Sequence, residues 1–208
     1  LGGGQAQVLT GDGATETAVK AADLSHARVV AFATHGLVGG HLPGLSEPGL
    51  VFTPPDAPSA ADDGVLTASE ASQLKLNADW VILSACNTAA GEKASAPGYT
   101  GLARAFIFAG GRRVLASHWP VRDDAAARLT VDTVRASARG ETPAQALRKA
   151  MLKLIDDPRV PGGSDPSVWA PFVVAAGRTA YGRAGCGLMI SMSSPRLTPH
   201  SRITGRAT

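Results

Sequence analysis

Residues 29–35 read VVAFATH and residues 80–86 read WVILSAC. Each is a short, nearly continuous apolar run rich in β-branched and aromatic side chains. That is the pattern of a strand covered on both faces. Each run ends on a residue that a buried strand has no packing reason to require, His35 in one and Cys86 in the other. In open parallel α/β sheets, chemistry collects where strands hand over to loops or helices. A thiol and an imidazole delivered there by two strands are the parts of a cysteine nucleophile and its base.

Working outward, QVLT (7–10) reads as a short strand, followed by the turn GDG and a helix opening at Ala14 or Thr15 and ending by Leu24. Residues 36–65 are rich in Gly and Pro without helical period. They predict a long loop with one strand-like patch, GLVF, and loops of that length usually have a functional reason. Thr67 and Glu70 in T-A-S-E have the capping-box form that starts a helix. After Cys86, residues 87–98 predict a loop, and Tyr99 to Ala109 an apolar helix stopped by Gly110 and Gly111. RVLASHW (113–119) is a further strand. Asp123 or Asp124 is placed to cap a helix running to Arg139. Thr142 and Pro143 start another, with Leu147, Ala150, Met151 and Leu154 on one face. PFVVAA (171–176) reads as the last strand. Strands alternating with helices predict an α/β fold, a mostly parallel sheet flanked by helices on both faces.

At 208 residues the chain has the size of about one domain. The formal charge of +3 is unevenly placed: residues 178–208 hold five arginines and no acid. Removing those five from the 20 basic residues leaves 15 against 17 acidic ones in residues 1–177. The body is mildly acidic, so the basic pI does not predict a nucleic-acid partner. Residues 178–208 show neither period and predict a basic, disordered tail, leaving 1–177 as the folded domain. Two cysteines make no disulfide framework, which fits a reducing, cytoplasmic setting. No segment approaches the length of a membrane span. The start, LGGGQAQVLTGDG, has no signal-peptide character and no initiator Met, and it reads as a piece of something longer.

Cysteine is often simply buried, but the polar Asn87 and Thr88 follow Cys86 at once, placing it at a strand exit. Gly36 after His35 lets a substrate backbone approach and leaves an N–H to point at a carbonyl oxygen. His118 is the rival base, since ASHW also ends a strand; stacking or capping beside Trp119 is its simpler role. His35, His41, Cys86 and His118 could in principle converge on zinc, but no short paired ligand spacing is present. The dinucleotide, P-loop and G-x-S-x-G signatures are absent. For Asp123 helix capping is the simpler role.

Taken together, ATHG around His35, DGVLTASE, LSACNTA around Cys86, GLARAFIFAGGRRVLASHWPV and WAPFVVAAG resemble the CHAT domain. This is a caspase-like peptidase domain that commonly sits C-terminal to TPR helices in bacterial proteins. The likeness runs in order from about Val8 to Gly177, and the separation of His35 and Cys86 also matches that recorded for caspases. It implies a caspase-like fold with His35 as base and Cys86 as nucleophile. It also implies an earlier strand and helix, the strand central in the sheet, which this sequence lacks. The family often shows W-x-V-D-D; here Trp119, Pro120, Val121, Arg122 and Asp123 keep only the second acid.

The expected activity is therefore that of a cysteine endopeptidase acting on a protein or peptide through a thioester, with no metal or organic cofactor. The oxyanion would be held by the N–H groups of Gly36 and Cys86. The substrate pocket would draw on Ser46, Asn87, Trp119 and Asp123. The rival readings are a catalytically inactive interaction module of a TPR-containing signalling or defence protein, and an acyltransferase using the same Cys–His pair.

Overall fold

Why the apolar runs lack alternation is clear from their surroundings: neighbouring residues on each strand enter opposite cores. In the computed structural model, which describes residues 6–40, 43–84, 101–177 and 186–191, the chain passes through strands β1 (Gln7–Leu9), β2 (Ala27–Ala33), β3 (His35–Leu37), β4 (Gly49–Val51), β5 (Val65–Thr67), β6 (Trp80–Leu83), β7 (Arg113–Ser117), β8 (Phe172–Ala176) and β9 (Cys186–Ser191). The helices are α1 (Glu16–Ala21), α2 (Ala68–Ala71), α3 (Leu102–Phe108), α4 (Asp123–Ala138), α5 (Pro143–Ile155) and α6 (Pro166–Trp169). Val30, Phe32, Val81, Leu83, Val114 and Ala116 face the core shared with α1, α2 and α3. Ala31, Ile82 and Leu115 face the core shared with α4, α5 and α6. Helices thus cover both faces, and the fold is the expected α/β arrangement with a mostly parallel sheet.

The main sheet has six strands in the order β1-β9-β2-β6-β7-β8. All neighbours are parallel except β8, which runs antiparallel to β7 with Ser117 opposite Phe172 and Arg113 opposite Ala176. In the first core the Phe32 ring lies 5.0 Å from that of Phe106 and 6.3 Å, edge-on, from that of Phe52. All three are fully buried, each side chain contributing about 1.5–3 kcal/mol of burial.

Helix starts follow the capping chemistry at Thr67 and Thr142, where each hydroxyl accepts the N–H of N3 and the N3 side chain reaches back, Glu70 in one and Gln145 in the other. Thr15 likewise accepts from the Ala18 N–H. Asp123 does not cap α4. Arg122 holds the cap position, and Asp123 and Asp124 fall in the first turn, where acidic charge complements the helix dipole. The Arg122 guanidinium grips both oxygens of Asp124, at 3.1 and 2.7 Å, and the Pro161 carbonyl at 2.6 Å. It holds the Asp124 carboxyl below its ordinary range.

Three expectations need correction. Residues 36–65 are not a loop with a single patch: β3, β4 and β5 form a separate antiparallel sheet. That region is tied to α1 by Glu16, which is buried yet accepts from the N–H groups of Asp63 and Gly64, both at 3.0 Å, and pairs with Lys20. Burial pushes the Glu16 carboxyl up, with Lys20 opposing it. The PFVVAA strand is not the last one. After it, Cys186–Ser191 forms β9, parallel to both β1 and β2 and lying between them. The basic tail therefore holds a strand, while residues 178–185 and 192–208 lie outside the described residues. A strand that pairs with partners more than 150 positions away leaves no local signal, which is why its short apolar run reads as tail. Finally, four-residue α6 was not foreseen; its cap is Asp165, accepting from the Ser167 N–H at 2.8 Å. Among the described residues no helix is long and apolar enough to cross a membrane.

Candidate active site

His35 does not close β2. That strand ends at Ala33, and the chain turns out of the main sheet at buried Thr34, whose hydroxyl donates to the Val51 carbonyl. His35 then opens β3, opposite Val51, with its side chain exposed. Gly36 follows in the same ladder, opposite Leu50. The histidine thus stands where the two sheets meet, its backbone fixed by a paired strand rather than by a loop. Thr34 is a positioning residue that sequence reasoning missed; its only signal is a polar residue between an apolar run and a histidine.

The end of β6 lies alongside the end of β2. The Ser84 N–H donates to the Phe32 carbonyl at 2.9 Å, and Phe32 pairs with Leu83. Cys86 and Asn87 lie outside the described residues, as does His41. The chain is described again from Gly101, which caps α3 with φ +77° and sits against Pro48; a Cβ there would lie 2.4 Å from the Pro48 Cγ. Pro48 precedes β4, and its carbonyl accepts the Ala68 N–H at 2.9 Å. Glu47 braces the same corner, its carboxylate taking the Ser69 N–H at 3.0 Å and hydroxyl at 2.8 Å. Both described boundaries of the Cys86 segment, Ser84 and Gly101, thus contact elements next to the His35 strand.

The other candidates spread over this end of the sheet. Ser46 is exposed on the β3–β4 connection, which Gly40 closes by donating to the Leu45 carbonyl at 2.7 Å. Trp119 follows β7, exposed, with its indole N–H donating to the Ser167 carbonyl at 3.2 Å. The His118 ring stacks beside it at 6.3 Å, and the His118 backbone N–H donates to the Pro171 carbonyl at 2.8 Å. Asp123, exposed, is the first residue of α4. A surface cleft of about 690 Å³ lined by Lys20, Asp23, Leu24, Glu70, Leu74 and Lys75 lies near the opposite, N-terminal end of β2 and contains none of these residues. Among the described residues no three His, Cys, Asp or Glu side chains are grouped to hold a metal.

Comparison with known proteins adds family context. The profile of the CHAT domain matches residues 1–178. Tetratricopeptide repeat protein 28 of Mus musculus is 30% identical over 195 residues, covering 81% of this chain; the chain spans 8% of that relative's length.

Proposed function

Because this chain belongs to the CHAT domain family of caspase-like proteins, we propose that it is a cysteine endopeptidase with His35 and Cys86 as its dyad. The observation that carries this reading is the Ser84–Phe32 hydrogen bond. It ties the residue two before Cys86 to the residue three before His35. That sets Ser84, two residues before Cys86 in the sequence, beside the strand that leads into His35, which supports pairing the two as a dyad.

In the proposed reaction the Cys86 thiolate attacks the scissile carbonyl carbon, forming a C–S bond and an oxyanion. The N–H groups of Gly36 and Cys86 hold that oxyanion. The C–N bond breaks as the His35 imidazolium gives its proton to the departing amine. Water, deprotonated by His35, then opens the thioester, releasing the acid and restoring the thiol. Ser46, Asn87, Trp119 and Asp123 would border the substrate. The name of the mouse relative supports a parent protein in which this domain is joined to tetratricopeptide repeats. A thiol nucleophile calls for a reducing compartment such as the cytoplasm.

The test is labelling by an electrophilic peptide probe together with peptide cleavage. We expect Cys86→Ala to abolish both and His35→Ala to slow them by about 10²–10⁴-fold, with unchanged circular dichroism. Retention of activity in His35→Ala and its loss in His118→Ala would move the base to His118. A parent chain inert to every probe would leave the fold as an interaction module.

A further inference from the structure

The place of β9 in the sheet is unlike that of any other strand. Each of the other parallel neighbours, β2 to β6 and β6 to β7, is joined through a connection that carries a helix, α2 in one and α3 in the other. That packing fixes which strand lies where. β9 comes instead from β8 at the far edge of the sheet, with β7, β6 and β2 between them. It lies beyond residue 178, where the family match ends. Among the described residues, the place between β1 and β2 is thus held by a segment outside the family match.

β9 is also the only strand partner of β1 among the described residues, through Gln7–Leu188, Val8–Met189 and Leu9–Ile190. On the other side it pairs along the whole of β2, from Ala27–Cys186 to Ala33–Ser191, with one irregularity between Ala27 and Val29. Without it, β2 would present an open apolar edge, a template for another strand.

We propose that the space between β1 and β2 is a strand-accepting site, and that it can take the Cys186–Ser191 segment of a second copy of this chain in place of its own. The segment is apolar, lacks proline and pairs in parallel register with both β1 and β2. The connection sets where it comes from. Ala176 pairs with the first residue of β7 and Cys186 with the first residue of β2, so both lie at the same end of the sheet. Four strand spacings separate β8 from β9, about 19 Å. The nine Cα steps from Gly177 to Cys186 reach about 30 Å when extended. Intramolecular insertion is therefore allowed with slack, and exchange between copies needs only the release of one strand. Such exchange is the usual low-barrier route to a swapped dimer, and high local concentration keeps the intact chain chiefly monomeric.

Deleting residues 179–184 from the full chain tests this directly. Three Cα steps would then remain between Gly177 and Cys186, about 11 Å at most, too short for insertion into the same molecule. The expected product is a dimer by sedimentation equilibrium, with amides of 7–9 and 186–191 protected in hydrogen exchange. Adding Leu188→Pro and Ile190→Pro, which remove strand donors, should return it to a monomer. A folded monomer from the deletion alone overturns the proposal, as does a dimer that survives both prolines. A second measurement covers the case in which the deletion does not fold. In the otherwise intact chain carrying the two prolines, a labelled peptide of residues 184–193 should bind saturably and at least about tenfold more tightly than to the parent, whose slot is filled. Equal binding to both, or none to the folded variant, overturns it.

Discussion

Gly101 and Gly140 share a left-handed backbone, φ +77° and +94°, but not the same surroundings. Nothing lies within 4 Å of a Cβ built on Gly140, whereas one on Gly101 meets the Pro48 ring. Alanine at 140 therefore brings only backbone strain, about 1–2 kcal/mol. Alanine at 101 adds overpacking of about 1–3 kcal/mol and pushes α3 away from the corner that holds the His35 strand. Urea unfolding should rank Gly101→Ala well below Gly140→Ala; equal midpoints would mean that the Pro48 contact does not constrain the start of α3. The residue scale is also where the sequence was most and least legible. Thr67, Glu70 and Thr142 announce their caps because capping is local. The exit of His35 from the main sheet is not local, since it depends on Thr34 reaching a carbonyl 17 positions away.

At the scale of elements, α4 and α5 form the cover of the second core, and their pairing is reinforced by charge at the C-terminal end of α5. Lys153 on α5 meets Asp132 on α4 at 2.9 Å. Asp157, just past α5, takes Arg128 of α4 and Arg159, each at 2.8 Å. The Arg159 side chain and N–H, with Arg128 beyond, hold the Asp157 carboxyl far below the ordinary aspartate range. A carboxylate whose folded pKa is depressed contributes stability that is complete above its unfolded pKa, about 3.9, and is lost as pH falls through the folded value. Asp157→Asn should therefore lower the melting temperature at pH 7 and do so less at pH 3. A deficit that grows on acidification would contradict this. The strands of the main sheet other than β9 were readable, β2, β6 and β7 best of all because their apolar runs have no alternation to confuse. In the small sheet only β4 was readable, as the GLVF patch; β3 and β5 were not, because three residues among glycines and prolines establish no period.

For the whole molecule, the decisive interaction is the one that joins the end of the chain to its beginning. Read from the sequence, residues 178–208 lack amphipathic pattern, and their removal should leave stability unchanged. With β9 between β1 and β2, the expected outcome is the opposite. Deleting 178–208 should lower the melting temperature, abolish amide protection at residues 7–9 and promote self-association through the bared β2 edge. An unchanged melt and intact protection at β1 would mean that the sheet closes without the tail. The core strands β2, β6 and β7 and their helical layers were legible from composition and spacing alone, because burial on both faces leaves its mark on each of these three. The order of the strands was not legible, because it is set by pairings between residues far apart in the sequence.

The same arrangement gives the molecule a mechanical character. Because β1 is held by three residue pairs to β9 and to no other strand among the described residues, a pull on the chain ahead of Gln7 loads that short ladder first. The next points of resistance are Gly11 and Ala14, whose carbonyls accept from the Thr53 hydroxyl and N–H at 2.8 and 2.9 Å. Tension would thus strip β1 before disturbing β2, β6 and β7. The leading strand acts as a fuse, yielding under load while the two sheets and the histidine at their junction stay assembled.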